Sequence, residues 1–392
     1  MPDNSESAWM TLHSDDVASK NFRSADGAVE HYLSIQAPQG LDFKEQVGFV
    51  EQRYREALKH LGLDPATAVF RRIFLSDILN QAAYVGASEL VDATTAVSVV
   101  QQAPLPGSKI GLLAYHVDAP APILKRRISP NHLLVERSGQ RHLWSTRLCS
   151  GHTQAPTSAA AQTEDVFGNL IGALSAQGAT LRDHCVRTWI YVNGVDVFYK
   201  GMVDSRSALF EEQGLTGATH YIASTGIEGA CAHQSDLVAM DAYSHLDLVP
   251  GQMSYLNDFD RLCPTKNYNV TFERGTRIAY ADRAHCFISG TASIDKAGEV
   301  VHPGNVMRQL ERTLENVDAL LKSGAASLAD MMYLIVYLRD LADHARIDAY
   351  LRERFPSLPI IIVLGAVCRP AWLIEVEGVA IAKNREPALP LF

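Results

Sequence analysis

Two carboxylates, a thiol and a guanidinium fall within one apolar stretch of this 392-residue chain, Val363 to Ala382, which reads VLGAVCRPAWLIEVEGVAIA. The Val, Leu and Ile residues at both ends predict a strand packed on both faces, or set inside a barrel-like sheet. Cys368, Arg369, Glu375 and Glu377 interrupt it. A carboxylate in such a strand loses hydration, so its charged form is disfavoured unless a cation or hydrogen-bond donors meet it. That is how an acid or base usable near neutral pH is made. Pro370 cannot donate to a ladder and lets the chain bulge beside Arg369. On these residues alone a second reading stands open, in which Glu375 and Glu377 both face solvent from an edge strand.

The elements that must position this stretch recur along the chain. His31 to Ile35 reads as a strand, and Phe43 to Leu61 carries Val47, Val50, Tyr54, Leu58 and Leu61 at helical spacing before Gly62 stops it. Strands are predicted at Val69 to Leu75, Ala96 to Val100 and Ile110 to Val117, with a helix at Ile78 to Leu90. From about Ile123 the order returns: the strands LLVE and HLWSTRL, a helix from Glu164 to Ala176 stopped by Gly178, the strand RTWIYV, a helix from Ser205 to Gln213, and two closing strands. A third pass begins near Asn267 and includes helices at Asn305 to Ser323 and Asp343 to Phe355. Helix-stop glycines at 62, 178 and 324, each followed by a strand, tie the three passes together as an internal triplication. The boundaries expected are a loose polar arm over 1–27 with some strand near Trp9 to Leu12, modules over 28–120, 121–245 and 265–385, a linker over 246–264 and a tail over 386–392.

Bulk composition excludes several functions. A net charge of -9 with no basic run argues against a nucleic-acid surface. The six cysteines lie apart, without CxxC or Cys/His spacing, so neither a disulfide framework nor a zinc site is expected. The N-terminus is polar and acidic and no apolar run is long enough for a bilayer, which predicts a cytoplasmic protein without membrane partners. No phosphate loop, dinucleotide fingerprint or metal cluster is present in the spacing, so chemistry without a cofactor is expected.

The third pass resembles the RidA/YjgF family in the phrases ISGTASID, ERTLENVDALLKSGA and LIEVEGVAIA. That resemblance implies an α+β, chorismate mutase-like fold in which a twisted sheet carries two helices on one face and three such units pack with pockets at their junctions. Three copies in one chain would then form an intrachain pseudo-trimer, a monomer whose outer faces leave higher assembly open. A narrower resemblance is to the chorismatases, in RTWIYV (187–192), ASTGIEG (223–229), NVTFERGTRI (269–278), HCFISGTASID (285–295) and VCRPAWLIEVEG (367–378). These phrases follow the family's order over roughly the C-terminal half, whereas residues 1–120 enter only through the repeat.

The chorismatase resemblance implies that chorismate is the small-molecule substrate, that pyruvate is released, and that Glu375 is the proton donor or acceptor. Cys368 falls where the 3-hydroxybenzoate-forming members carry a cysteine. Ala281 matches instead the members that hydrolyse chorismate to 3,4-dihydroxycyclohexa-1,5-dienoate, and AVCRPAWLIEVEG most resembles a subgroup forming 3- and 4-hydroxybenzoate. Chorismate is a dianion, so bidentate arginines suit it, and Arg187, Arg274 and Arg369 each lie within a matched phrase. Tyr221 offers a hydroxyl, Thr225 a further donor, and Gly226 close backbone approach; plain packing and turn roles are their alternatives. Other functions compatible with the fold are RidA-type hydrolysis of enamines or imines and non-catalytic ligand binding.

Overall fold

The computed structural model describes residues 14, 16–151, 158–231, 233–265 and 270–392; the strand expected near Trp9 to Leu12 lies outside them. The first module runs β1 (Val17–Arg23), β2 (Val29–Gln36), α1 (Phe43–Leu61), β3 (Ala68–Leu75), α2 (Ile78–Gly86), β4 (Ala96–Gln101) and β5 (Ile110–Asp118). The second runs β6 (Leu124–Ser129), β7 (His132–Arg137), β8 (Gln140–Leu148), α3 (Ala159–Ser175), α4 (Leu181–His184), β9 (Cys185–Val192), α5 (Val195–Glu212), β10 (Ala223–Glu228) and β11 (Val238–His245). The third runs β12 (Met253–Tyr255), β13 (Gly275–Ala279), β14 (Arg283–Ala292), α6 (Val306–Ser323), β15 (Met331–Leu338), α7 (His344–Arg354), β16 (Ile360–Leu364) and β17 (Ile374–Lys383).

Local chemistry sets the helix ends. Asp42 and Glu45 form a reciprocal capping box on α1, and Gly62 ends it at φ 69°, a conformation open to glycine without a Cβ penalty. Asn305 caps α6 by accepting from the Arg308 amide. Two helices begin earlier than their apolar spacing suggests. Ser158 caps α3 ahead of a run of alanines, and α5 starts at Val195, where exposed Val197 and Phe198 blur the pattern. Helix α2 stops at Gly86, short of Leu90.

The sheets share one order. They read β1-β2-β5-β3-β4, β6-β7-β8-β11-β9-β10 and β12-β13-β14-β17-β15-β16, so each module's last strand is central and its edge pair is parallel. The parallel edge strand of each module lies against the next module: β4 against β8, β10 against β14, and β16 against β2. That cycle closes a pseudo-trimer. Aromatic pairs bridge every module boundary in the shared core: Phe70 with Trp144 at 4.8 Å, Tyr243 with Phe287 at 5.3 Å, and Tyr32 with Tyr333 at 5.4 Å. Separate apolar layers pack the helices of modules one and two onto their sheets.

Three expected boundaries change. Val17–Arg23 is a strand paired along its length with β2, so part of the supposed arm belongs to the first sheet. Within 246–264, β12 pairs with β13 and Leu256, Leu262 and Cys263 are buried, because apolar side chains in this connector reach the core. The tail is anchored: Phe392 is buried edge-on to His142, Tyr280 and His285. Among the described residues, no helix is long and apolar enough to cross a membrane.

Candidate active site

Strand β17 sets Glu375 and Glu377 two residues apart, hence on one side of the strand, facing the second module across the junction of β10 with β14. Both are buried, at 5% and 1% exposure, which removes the solvent-facing alternative. Their surroundings differ. Glu377 pairs with Arg187 at 2.6 Å and with Arg72 at 3.5 Å, and it accepts from Trp189 Nε1 at 2.9 Å and from the Thr225 hydroxyl. Glu375 accepts no hydrogen bond from any described residue. Burial, reinforced by the neighbouring Glu377, raises its pKa to about 8 against the opposing pull of Arg187 and Arg274.

Glycine makes room for that acid. A Cβ on Gly290 would stand 2.2 Å from Glu375 Oε1 and 3.0 Å from Thr225 Cγ2, so the carboxyl lies directly over the β14 backbone. Thr225 fixes the junction. Its hydroxyl donates to Glu377 and accepts from Arg187 at 2.5 Å and from the Gly290 amide at 2.8 Å, tying β10 to β14. The adjacent Ser224 amide donates to Ser289 Oγ at 2.9 Å.

Glu375 borders a cavity of about 180 Å³. Helix α5 contributes Tyr199 and Arg206, and the loop before β17 contributes Cys368, Arg369 and Trp372. Arg206 is 1% exposed, and its Nε and Nη2 have no hydrogen-bond partner among the described residues. A guanidinium carries five donors and cannot shed its charge, so unpaired N–H groups buried at a cavity wall call for an anion. Arg274 also borders the cavity, donating from Nη2 to the Cys263 carbonyl at 3.2 Å. Arg369 lies 4.7 Å over the Trp372 ring and donates to the Gly298 carbonyl at 3.1 Å. Burial pushes the Cys368 thiol up to about 12, so it stays protonated at neutral pH, with Tyr199 lining the same cavity.

The expected site residues therefore divide. Glu375, Cys368, Arg369, Arg274, Thr225 and Gly226 line one cavity. Arg187 stands behind it, its guanidinium committed to Glu377, Thr225 and the Thr188 carbonyl. Tyr221 is elsewhere. It stacks 6.4 Å from Phe210 and lines a separate hollow with His220 and Glu273, because the strand that turns Thr225 inward begins only after it. Ala281 sits between β13 and β14, bonded to the C-terminal segment through Pro390 and Glu386, and has no place at the cavity. Arg206, Tyr199 and Gly290 were not expected. A lone arginine in a helix reads as exposed, and only the packing of α5 over β10 reveals otherwise.

The endoribonuclease L-PSP family profile matches residues 276–382. Over 97 residues the chain is 36% identical to a RutC family protein of Pyrococcus abyssi, an alignment spanning 24% of this chain and 76% of that protein. It is 32% identical, over the same shares, to the 3-aminoacrylate deaminase RutC of Acinetobacter baylyi. The chain belongs to this RutC family through its third module. The whole chain also has the fold of a crystallised chorismatase, with a TM-score of 0.63 and 17% identity over 94% of this chain and 100% of that one. It is thus a tandem, α+β assembly of RidA-like modules.

Proposed function

We propose that this protein acts on chorismate, releasing pyruvate and leaving 3-hydroxybenzoate, with 4-hydroxybenzoate as a second product, without a cofactor. The observation that carries the reading is the pairing, at one cavity, of a buried acid that accepts no hydrogen bond from any described residue with a buried guanidinium whose Nε and Nη2 have no partner among the described residues. A carboxyl ionising near 8 is mostly protonated at neutral pH. Glu375 can therefore give its proton to the methylene carbon of the enolpyruvyl ether. The resulting oxocarbenium carbon takes up water, the hemiketal collapses to pyruvate and a ring alcohol, and loss of water from the ring gives the aromatic acid. The water consumed equals the water released. Stopping before that last loss gives 3,4-dihydroxycyclohexa-1,5-dienoate instead.

Arg206, Arg274 and Arg369 suit the two substrate carboxylates, and a guanidinium meets a carboxylate bidentately. Arg187 holds Glu377, and Glu377 in turn raises the proton affinity of Glu375. Cys368, kept as a thiol, offers the ring a weak donor rather than a nucleophile.

The identity with RutC proteins favours one competing reading, enamine hydrolysis of the kind named for the Acinetobacter baylyi relative. Incubation with chorismate, coupled to lactate dehydrogenase for pyruvate, separates the two. Release of pyruvate by the native chain and none by Glu375→Gln is expected; no release by the native chain, with 3-aminoacrylate consumed, refutes the chorismate reading.

A further inference from the structure

The loop between β10 and β11, described over residues 229–231 and 233–237, occupies in module two the place that residues 365–373 occupy in module three. In module three that loop supplies Cys368 and Arg369 to the cavity. In module two it carries His233 and Asp236, and it runs beside Cys149 just past the end of β8. The donor atoms of Cys149, His233 and Asp236 all lie within 4.8 Å of one another. Two features set this trio apart from a chance surface cluster. Asp236 is 4% exposed, and its Oδ2 has no hydrogen-bond partner among the described residues. An unmet carboxylate oxygen in such a place is costly unless a cation satisfies it.

The backbone holding these side chains is also fixed in advance. Gln162 of α3 accepts from the Leu237 and Val238 amides at 2.7 and 3.0 Å and donates to the Ser235 carbonyl at 2.9 Å. Asn169, two turns further along the same helix, donates to the Cys149 carbonyl at 3.3 Å. One helix thus anchors both arms of the trio.

We propose that Cys149, His233 and Asp236 form a binding site for one zinc-class divalent ion. Thiolate, imidazole and carboxylate together are a donor set for zinc or cobalt and unsuited to magnesium or calcium, which take oxygen ligands. Donors around a tetrahedral ion stand about 3.5 Å apart, so side-chain shifts of about 1 Å close the trio. The exposure of His233 leaves the fourth position to water. The ion would clip the end of β8 to the loop that follows β10, the strand carrying Ser224 and Thr225, so the site is structural and distinct from the Glu375 cavity. Chain distance hides the trio from any spacing pattern, because Cys149 lies in a different strand connection from His233 and Asp236.

The test titrates the chelator-treated full-length protein with cobalt(II). One saturable site with a thiolate-to-cobalt charge-transfer band is expected, together with a rise in the thermal midpoint on adding zinc. Cys149→Ser should abolish the band, and His233→Ala should weaken binding by at least about tenfold. Neither residue is fully buried, and circular dichroism verifies that each variant folds. Absence of saturable binding by the native chain overturns the proposal. So does a charge-transfer band that survives Cys149→Ser, which would assign the metal to another thiol.

Discussion

Replacing Glu375 with glutamine should stabilise the protein increasingly as the pH rises above about 4.5. A carboxyl that ionises at 4.5 when exposed and at about 8 when folded holds its proton more tightly in the native state. Below 4.5 both states are protonated and the group is neutral with respect to folding. Between these two values the unfolded chain loses the proton while the native chain keeps it, so stability falls with each rise in pH; above about 8 both are ionised and the loss is complete. At 1.36 kcal/mol per pH unit the full loss is about 5 kcal/mol, with about 3 kcal/mol already lost at pH 7. Glutamine keeps the shape and removes the ionisation. Urea unfolding of both proteins should give a stability difference that is flat at acid pH and grows in favour of Glu375→Gln by about 5 kcal/mol near pH 9. Native turnover should fall through the same upper range as the acid form disappears. A stability difference independent of pH would mean that Glu375 is not a sequestered acid, and the proton-donor argument would fail with it.

Gly290→Ala places a methyl 2.2 Å from Glu375 Oε1, the movable end of a side chain, so kcat should drop at least tenfold while stability changes by about 1 kcal/mol. Gly378→Ala is the contrast: its methyl would stand 2.2 Å from the rigid Tyr333 carbonyl oxygen, and a large loss of thermal midpoint is expected. Arg206→Met removes a buried charge whose Nε and Nη2 have no hydrogen-bond partner among the described residues, so the folded state should be no less stable, while KM for chorismate rises about 10- to 100-fold. Cys368→Ala should alter the ratio of products, followed by liquid chromatography, more than the rate; an unchanged ratio removes the thiol from the ring chemistry.

Periodicity along the chain exposed the repeat because helices and strands that face a core must alternate apolar and polar residues at their own spacing. The α1 and α6 helices are legible to within a residue or two for that reason, and each carries a side-chain cap. Helix α5 packs on α3, β9 and β10 of its own module but leaves Val197 and Phe198 exposed at its start, so its local apolar pattern is weaker. The acid was legible for a different reason: charge in a β-branched strand is rare enough to be conspicuous. Its support was not. Glu377 meets Arg72 from module one and Arg187 from module two, and no local pattern along the chain encodes contacts between segments so far apart.

Pseudo-symmetry leaves three junctions, yet one pair of acids stands at only one of them. In strand register, Tyr115, Tyr243 and Val379 occupy equivalent places on β5, β11 and β17, opposite Phe70, Arg187 and Tyr333. The same register aligns Glu377 with Asp241 and Leu113, and Glu375 with Ala239 and Gly111. The inner position keeps a carboxylate in two modules, and both carboxylates serve one guanidinium: Arg72 reaches Asp241 at 3.4 Å and Glu377 at 3.5 Å, joining all three modules in one buried network. The outer position carries an acid once. At Gly111 a Cβ would lie 3.3 Å from Pro104, so a longer side chain there would have to displace that ring. The three junctions are thus alike in strand order, and one pair of buried carboxylates is shared across the centre while the further acid, Glu375, stands where Gly290 leaves space for it.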